Sequence, residues 1–182
     1  MAKLAAHNVR TILDYSAEGQ TAESDLDATC SEVLATIQAA DGDARHAFAV
    51  FKVSGLSSNE VLEKVGKAMA GGAALDREDE AAWERVQRRV RTLCEATATA
   101  GGRVMIDAEE SWIQDAIDGL AEDMMSDYNR DRVVVFARQD RAARQKDVLR
   151  QDMKRAEMRG LGPPRHGFLQ SASRLLEPCF VQ

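Results

Sequence analysis

The sequence predicts an α/β protein, a partial (β/α)8 TIM-type barrel of about four to five βα units with long helices. Short apolar segments alternate with longer ones in which apolar residues recur at helical spacing. The segment 46–53 is nearly all apolar, which is typical of a strand covered on both faces in a parallel sheet. Parallel βα units form an open doubly wound sheet or a barrel. Asp14–Gly19 lacks the phosphate-binding glycine fingerprint, which favours the barrel.

The first half of the pattern begins with a short strand near 10–15. A helix near 21–40 follows, because Leu26, Val33, Leu34 and Ile37 share one helical face. The segment 41–43, Asp-Gly-Asp, ends this helix, since glycine tolerates the left-handed turn there. The strand near 46–53 and a helix near 57–70 come next.

The second half begins with a long helix near 76–99. Asp76, Glu78 and Asp79 lie in its first turn, where acids favour the positive end of the helix dipole. A strand near 103–107, a helix near 110–127 and a strand near 132–136 complete four strands that alternate with helices. A complete barrel typically has about 250 residues, and this chain has 182.

Composition excludes several classes of function. A chain of 182 residues that is 45% hydrophobic can bury the core of one domain. Its net charge of -6 argues against a nucleic-acid partner. No apolar run approaches the roughly 20 residues of a spanning helix, and residues 1–10 lack a signal-peptide core, so we expect a soluble chain. Cys30, Cys94 and Cys179 are too far apart for a metal site and are expected to stay reduced.

Charged side chains stand where the predicted strands end. Asp14, Lys52 and Asp107 would share one rim, which is where α/β folds place their chemistry. An unpaired ammonium group on the apolar strand of Lys52 would be costly to bury, which favours a functional role. Taken alone, Asp107 is better explained by a structural role, as a helix cap or in an ion pair, than by a functional one. For Glu109 and Glu110 we expect a role in the first turn of the next helix.

Other polar and aromatic residues are given structural roles. Asp14 is expected to be structural. His7, His46 and His166 are isolated in the sequence and give no basis for a metal site. Trp83 and Trp112 lie at helical positions and are expected in the core.

Several consecutive blocks resemble the N-terminal part of the catalytic barrel of proline dehydrogenase. They occur in order from about residue 4 to 136 and read Ile12-Leu-Asp-Tyr-Ser-Ala-Glu-Gly19, Phe48-Ala-Val-Phe-Lys-Val-Ser-Gly-Leu56, Ala82-Trp-Glu-Arg85, Val104-Met-Ile-Asp-Ala-Glu-Glu-Ser-Trp-Ile-Gln-Asp115 and Tyr128-Asn129. The resemblance implies an FAD-dependent (β/α)8 oxidoreductase. Such an enzyme oxidises L-proline to 1-pyrroline-5-carboxylate and passes the electrons to a quinone.

The resemblance also implies roles for individual residues. Lys52 matches the strand lysine that helps to hold the proline carboxylate, and Asp107 matches an aspartate of the substrate pocket. Physical chemistry agrees, because an ammonium group at a strand end forms strong charge-assisted hydrogen bonds with a carboxylate. Neither residue needs to be a nucleophile, since the flavin carries the hydride chemistry.

Beyond Phe136 the chain departs from the family pattern. Gln139 falls one position before the glutamine that contacts the flavin in relatives, so it is a weak candidate for a cofactor-binding residue. The later Arg-Gly-Ala-Tyr-like block and the helix with paired arginines, which clamps the proline carboxylate, are not found. We therefore expect a barrel-like domain over 1–160, a divergent and irregular tail over 161–182, and a chain truncated after about residue 160. A reading frame disturbed around 137–147 and after about 160 would produce this pattern.

Two classes of function follow from these observations. The first is an FAD-dependent proline dehydrogenase with Lys52 and Asp107 in the substrate pocket. It would act in the cytoplasm of a bacterium, near the membrane quinone pool, or in mitochondria of a eukaryote. The second is a non-catalytic half-barrel fragment or interaction protein that lacks the flavin site. Exposed sheet edges would favour self-association into a homo-oligomer in either case.

Overall fold

Four short strands form one parallel sheet in the computed structural model, which describes residues 7, 9–40 and 45–137. They lie side by side in chain order as β1 (Thr11–Asp14), β2 (His46–Phe51), β3 (Val104–Ile106) and β4 (Val135–Ala137). A doubly wound sheet reverses its strand order at a switch point, whereas a barrel keeps chain order. The predicted α/β fold, consistent with a partial TIM-type barrel, is confirmed.

Four helices connect the strands. They are α1 (Glu23–Ala40), α2 (Asn59–Met69), α3 (Arg77–Thr99) and α4 (Gln114–Tyr128), and a 3-10 turn at Val53–Gly55 follows β2. The side chain of Asp76 accepts hydrogen bonds from the backbone N–H groups of Glu78 and Asp79, both at 2.9 Å. This cap satisfies amides that a helix start leaves unpaired, so α3 begins where the acidic first turn predicted it.

The two faces of the sheet differ in burial. One face packs on the helices, and its side chains are fully covered: Ala49, Phe51, Val104, Ile106 and Val135 are at most 2% exposed. On the other face Phe48, Met105 and Phe136 are half-buried, and Ile12 is 48% exposed. The rings of Phe48 and Phe136 lie 6.3 Å apart, although β3 separates their strands. The described residues therefore cover one face of the sheet and leave the other partly open.

The strand prediction for β2 is therefore only partly right. Its second half, Ala49–Phe51, is buried as expected for a strand covered on both faces, but His46–Phe48 is half-buried. The core proper lies between the covered face and the helices, where Trp83 packs as predicted.

Two elements begin later than the sequence predicts. The helix expected from 110 begins at Gln114, because Ser111–Ile113 form turns. Trp112 lies in this turn and is 48% exposed, so its predicted place in the core is wrong. The strand expected over 132–136 is Val135–Ala137.

Side-chain hydrogen bonds explain the late start of β4. Arg132 donates to the carbonyl groups of Ala98, Gly101 and Gly102 at the end of α3. The side-chain oxygen of Asn129 accepts from the N–H groups of Val134 and Val135, each at 2.8 Å. The N–H groups of Val134 and Val135 are thus bound to a side chain, and on the β3 side the carbonyl of Val134 still accepts from the N–H group of Val104 at 2.8 Å.

Some expectations lie outside the described residues. They are the helix stop at 41–43, Gln139, the departure after Phe136 and the tail over 161–182. Within the described residues, no helix combines the length and apolar character that a membrane span requires.

Candidate functional site

The carboxyl ends of β1, β2 and β3 meet at one edge of the sheet. Lys52 directly follows β2, and Asp107 directly follows β3. The N–H group of Asp107 donates to the carbonyl of Phe51 at 3.0 Å, and Phe51 pairs with Ile106 in the register. Lys52 and Asp107 therefore stand at the same level, on the same side of neighbouring strands. Asp14 pairs with Val50, two residues before Lys52, and is exposed.

Lys52 is surrounded by carboxylates. Its Nζ donates to Oε1 of Glu18 at 2.5 Å, and the lysine side chain is 30% exposed against 56% for the glutamate. The hydrogen bond to Glu18 raises the pKa of Lys52, and the charges of Glu109 and Asp107 add to it. The same bond lowers the pKa of Glu18. Lys52 is thus a cation that already has a carboxylate partner.

Glu18 was not among the residues predicted for the site. It lies in the loop after β1, within the block Asp14–Gly19, of which only Asp14 was placed on the predicted rim. The signal available was its place just after a strand end, since loops after parallel strands share one edge of a sheet.

Glu109 joins the loops after β2 and β3. Its Oε1 accepts from the backbone N–H of Ser54 at 3.0 Å, and its Oε2 accepts from the Ser54 hydroxyl. Burial raises the pKa of Glu109, against the effect of these hydrogen bonds. The expectation that Glu109 serves the first turn of the next helix is wrong, because α4 begins five residues later and the side chain points to Ser54 instead.

Asp107 does not cap a helix either. Its Oδ1 accepts from the N–H group of the adjacent Ala108 at 3.1 Å, and the residue is half-buried. In the loop that follows, the backbone N–H of Glu109 is bound by Gln114, whose Oε1 accepts from it at 2.7 Å. The helix-cap alternative for Asp107 therefore loses its basis, while its role in binding substrate stays a prediction.

A side chain of the helix layer binds the end of the turn that follows Lys52. Arg89, on α3, is 7% exposed and donates to the carbonyl of Leu56 at 3.1 Å. The same guanidinium pairs with Glu23 and with Asp27 of α1. The turn is thereby connected to α1 and α3 as well as to its neighbouring loops.

The rim suits an amino acid better than a dinucleotide. One ammonium group stands among the carboxylates of Glu18, Asp107 and Glu109, and such a set can bind the amine and the carboxylate of a zwitterion. It would repel a pyrophosphate. An open cavity of about 650 Å³ lies between α2 and α3 and shares no residue with this rim. This rim therefore does not fit the pyrophosphate of a flavin dinucleotide.

Fold and site together define an α/β protein, consistent with a partial TIM-type barrel, with charged residues at the carboxyl ends of its parallel strands. The chain belongs to the proline dehydrogenase family, whose model matches residues 1–163. The match extends past Phe136, where the sequence blocks ended. This is a family of oxidoreductases.

Two relatives give the extent of the similarity. The chain is 33% identical over 132 residues to the carbapenem antibiotics biosynthesis protein CarD of Pectobacterium carotovorum subsp. carotovorum. The matched segment covers 72% of this chain and 34% of that protein. It is 41% identical over 49 residues to the mitochondrial proline dehydrogenase 1 of Drosophila melanogaster, which covers 27% of this chain and 7% of that protein. The chain matches about a third of the length of the first relative and a smaller part of the second.

Proposed function

We propose that this chain contributes the first strands of a proline dehydrogenase that oxidises L-proline to 1-pyrroline-5-carboxylate. The observation that carries the proposal is that Lys52 and Asp107 directly follow paired residues of β2 and β3 and stand side by side at their carboxyl edge, in a chain of this family. FAD, when bound, would supply the hydride acceptor, and a quinone would take the electrons.

In this proposal Lys52 and Asp107 bind and orient the substrate. The Lys52 ammonium stays charged, because its pKa is raised, and donates to the substrate carboxylate. The Asp107 carboxylate accepts a hydrogen bond from the ring amine. Contacts to the amine and to the carboxylate, which are bonded to the same carbon of a small rigid substrate, fix its orientation, which is the main contribution that a protein makes to cofactor chemistry.

The ion pair with Glu18 sets a condition on substrate binding. Lys52 Nζ lies 2.5 Å from Glu18 Oε1, so a substrate carboxylate must share or replace this partner. Glu18 is more than half exposed and can move into solvent. The substrate carboxylate would therefore compete with Glu18 for the ammonium group.

The remaining parts of the proposal concern the extent of the domain, the cofactor and the surroundings of the protein. Residues 1–160 would be the first part of the barrel, 161–182 a divergent tail, and Gln139 a contact of the flavin. The enzyme would associate with the membrane surface that holds the quinone, in a bacterial cytoplasm or in mitochondria. Self-association would cover the edge strands β1 and β4.

A second candidate is a non-catalytic half barrel that acts through protein contacts. The observation that favours it is the sheet face on which Ile12 is 48% exposed and Phe48 and Phe136 are half-buried. Such a face would bury apolar surface against a partner. The two candidates differ in whether the chain retains a flavin.

The test is the visible spectrum of the purified chain after incubation with FAD and desalting, followed by anaerobic addition of L-proline. Retained flavin that bleaches with proline supports the enzyme, and a colourless protein supports the second candidate. Lys52→Met should weaken the response to proline. Lys67→Met is the matched control, because Lys67 pairs with Glu63, four residues before it on the same helix and away from the rim. Equal bleaching in both variants would refute the role of Lys52.

A further inference from the structure

A side-chain bridge joins the ends of β2 and β3 beyond their last backbone hydrogen bond. Ser54 gives both of its donors, the N–H and the hydroxyl, to the two oxygens of Glu109. We propose that Glu109 is a positioning residue of the substrate site, which fixes Lys52 opposite Asp107. The inference rests on the proposed function and adds a residue that was expected to serve the next helix.

The bridge takes over where the backbone ladder ends. The last backbone bond between the two strands runs from Asp107 to Phe51. After it, one chain turns into Val53–Gly55 and the other passes through Ala108 to Glu109. Asp107 itself makes this last bond, and Lys52 lies between it and the bridge, so the separation of the two residues is fixed on both sides.

Both members of the bridge are held in place. Ser54 is 5% exposed, and Glu109 is half-buried. The N–H of Glu109 donates to Oε1 of Gln114, and Nε2 of Gln114 donates to Asp118 at 2.6 Å. The position of Glu109 is therefore tied to the first turns of α4. A bridge between fixed groups can hold a binding geometry, which a mobile side chain cannot.

The burial of Glu109 also argues for a function. Partial burial of a carboxylate is unfavourable unless hydrogen bonds compensate for lost hydration. Its neighbour Glu110 is exposed and has no such cost. In addition, the charge of Glu109 acts on Lys52 and favours the ammonium form.

Three substitutions separate geometry from charge. Glu109→Gln keeps an oxygen for the Ser54 N–H and gains an amide that can donate to the Ser54 hydroxyl, so it removes the charge and keeps the bridge. Glu109→Ala removes both. Ser54→Ala removes one hydrogen bond and keeps the charge. Glu110→Gln is the matched control, since it changes the same charge at the next residue.

Two measurements on the full chain test the proposal. The first is steady-state proline oxidation by the FAD-loaded chain. Glu109→Ala should raise KM about three- to tenfold with little change in kcat, the loss expected for one or two hydrogen bonds. Glu109→Gln should restore most of the affinity. A KM in Glu109→Ala equal to that of Glu110→Gln would overturn the proposal, as would an equal loss in Glu109→Gln and Glu109→Ala.

The second measurement needs no activity. The pKa of Lys52 is followed through its Nζ signal in a chain labelled with 15N-lysine, assigned with Lys52→Arg. Glu109→Ala should lower the pKa of Lys52 further than Glu109→Gln does. Both variants remove the charge of Glu109, but only Glu109→Ala also breaks the bridge and lets Lys52 move away from Asp107. An unchanged titration in Glu109→Ala would overturn the proposal. If the wild-type chain does not oxidise proline, the proposed function fails, and this titration alone decides the role of Glu109.

Discussion

A larger side chain at Gly55 should destabilise the protein, although the backbone conformation of this residue is ordinary. It ends the 3-10 turn after Lys52. A Cβ at this position would lie 2.8 Å from the carbonyl oxygen of Ala17 and 3.3 Å from Cγ2 of Thr29. The carbonyl belongs to the backbone and cannot rotate away, so the turn or the loop after β1 must shift. Because Ala17 precedes Glu18, the shift would also disturb the ion pair at Lys52.

The effect of Gly55→Ala follows from two opposing terms. Overpacking costs about 1–3 kcal/mol, and the smaller conformational entropy of the unfolded chain offsets about 0.4–1 kcal/mol. We expect a net loss of about 1–2 kcal/mol in the free energy of unfolding. Urea denaturation followed by circular dichroism would measure it.

Gly66→Ala is the matched control for this prediction. Gly66 lies on α2, and its added Cβ would meet nothing closer than 3.6 Å, which is ordinary contact. Alanine is favoured over glycine within a helix by up to about 1 kcal/mol. The same chemical change should therefore stabilise the protein at residue 66 and destabilise it at residue 55. Equal stability of Gly55→Ala and wild type would refute the steric argument.

Three further predictions concern the charged groups. Arg89→Met should lower the free energy of unfolding in urea by about 2–4 kcal/mol, because the buried carbonyl of Leu56 loses its donor and two ion pairs are lost; a loss below about 0.5 kcal/mol would contradict this. Glu18→Gln should lower the KM for L-proline without raising kcat, because the substrate carboxylate no longer competes for Lys52; a higher KM would show that Glu18 assists binding. Burial raises the pKa of Glu109 above its ordinary value of 4.5. Above that pH the native state therefore holds the proton of Glu109 more tightly than the unfolded state does. The contribution of Glu109 to the free energy of unfolding falls as the pH rises. Between about pH 5 and about pH 7, the free energy of unfolding of wild type should therefore decrease relative to that of Glu109→Gln. A difference that does not change with pH would contradict the raised pKa of Glu109.

The positions of the strands were predictable because each is a short apolar run with polar neighbours. The ends of β1, β2 and β3 agree with the sequence to within two residues. β4 was misplaced because Val133 and Val134 have strand composition, yet Asn129 binds the N–H group of Val134. The composition of a segment gives no information about a competing side chain several residues away.

The site was predictable only in part, for a similar reason. Lys52 and Asp107 were identified because a charge at the end of an apolar strand is visible in one segment. The partners of these strand ends are distant in sequence: Glu18 is 34 residues from Lys52, and Glu109 is 55 residues from Ser54. Such contacts depend on the register of the sheet, which no single segment contains. Glu109 looked like a helix residue because the next helix was expected to begin four residues too early.

The charge balance of the rim indicates what a working site needs in addition. Lys52 faces three carboxylates, those of Glu18, Asp107 and Glu109, and its hydrogen bond to Glu18 already satisfies part of its charge. A substrate carboxylate brought to this rim would meet an excess of negative charge, and one shared ammonium group would bind it weakly. Tight binding of proline therefore requires further cations close to Lys52. The resemblance to proline dehydrogenase implies such a source in the helix with paired arginines, which is not found in this sequence. The described strands would then fix the orientation of the substrate, and the affinity would depend on cations from outside these strands.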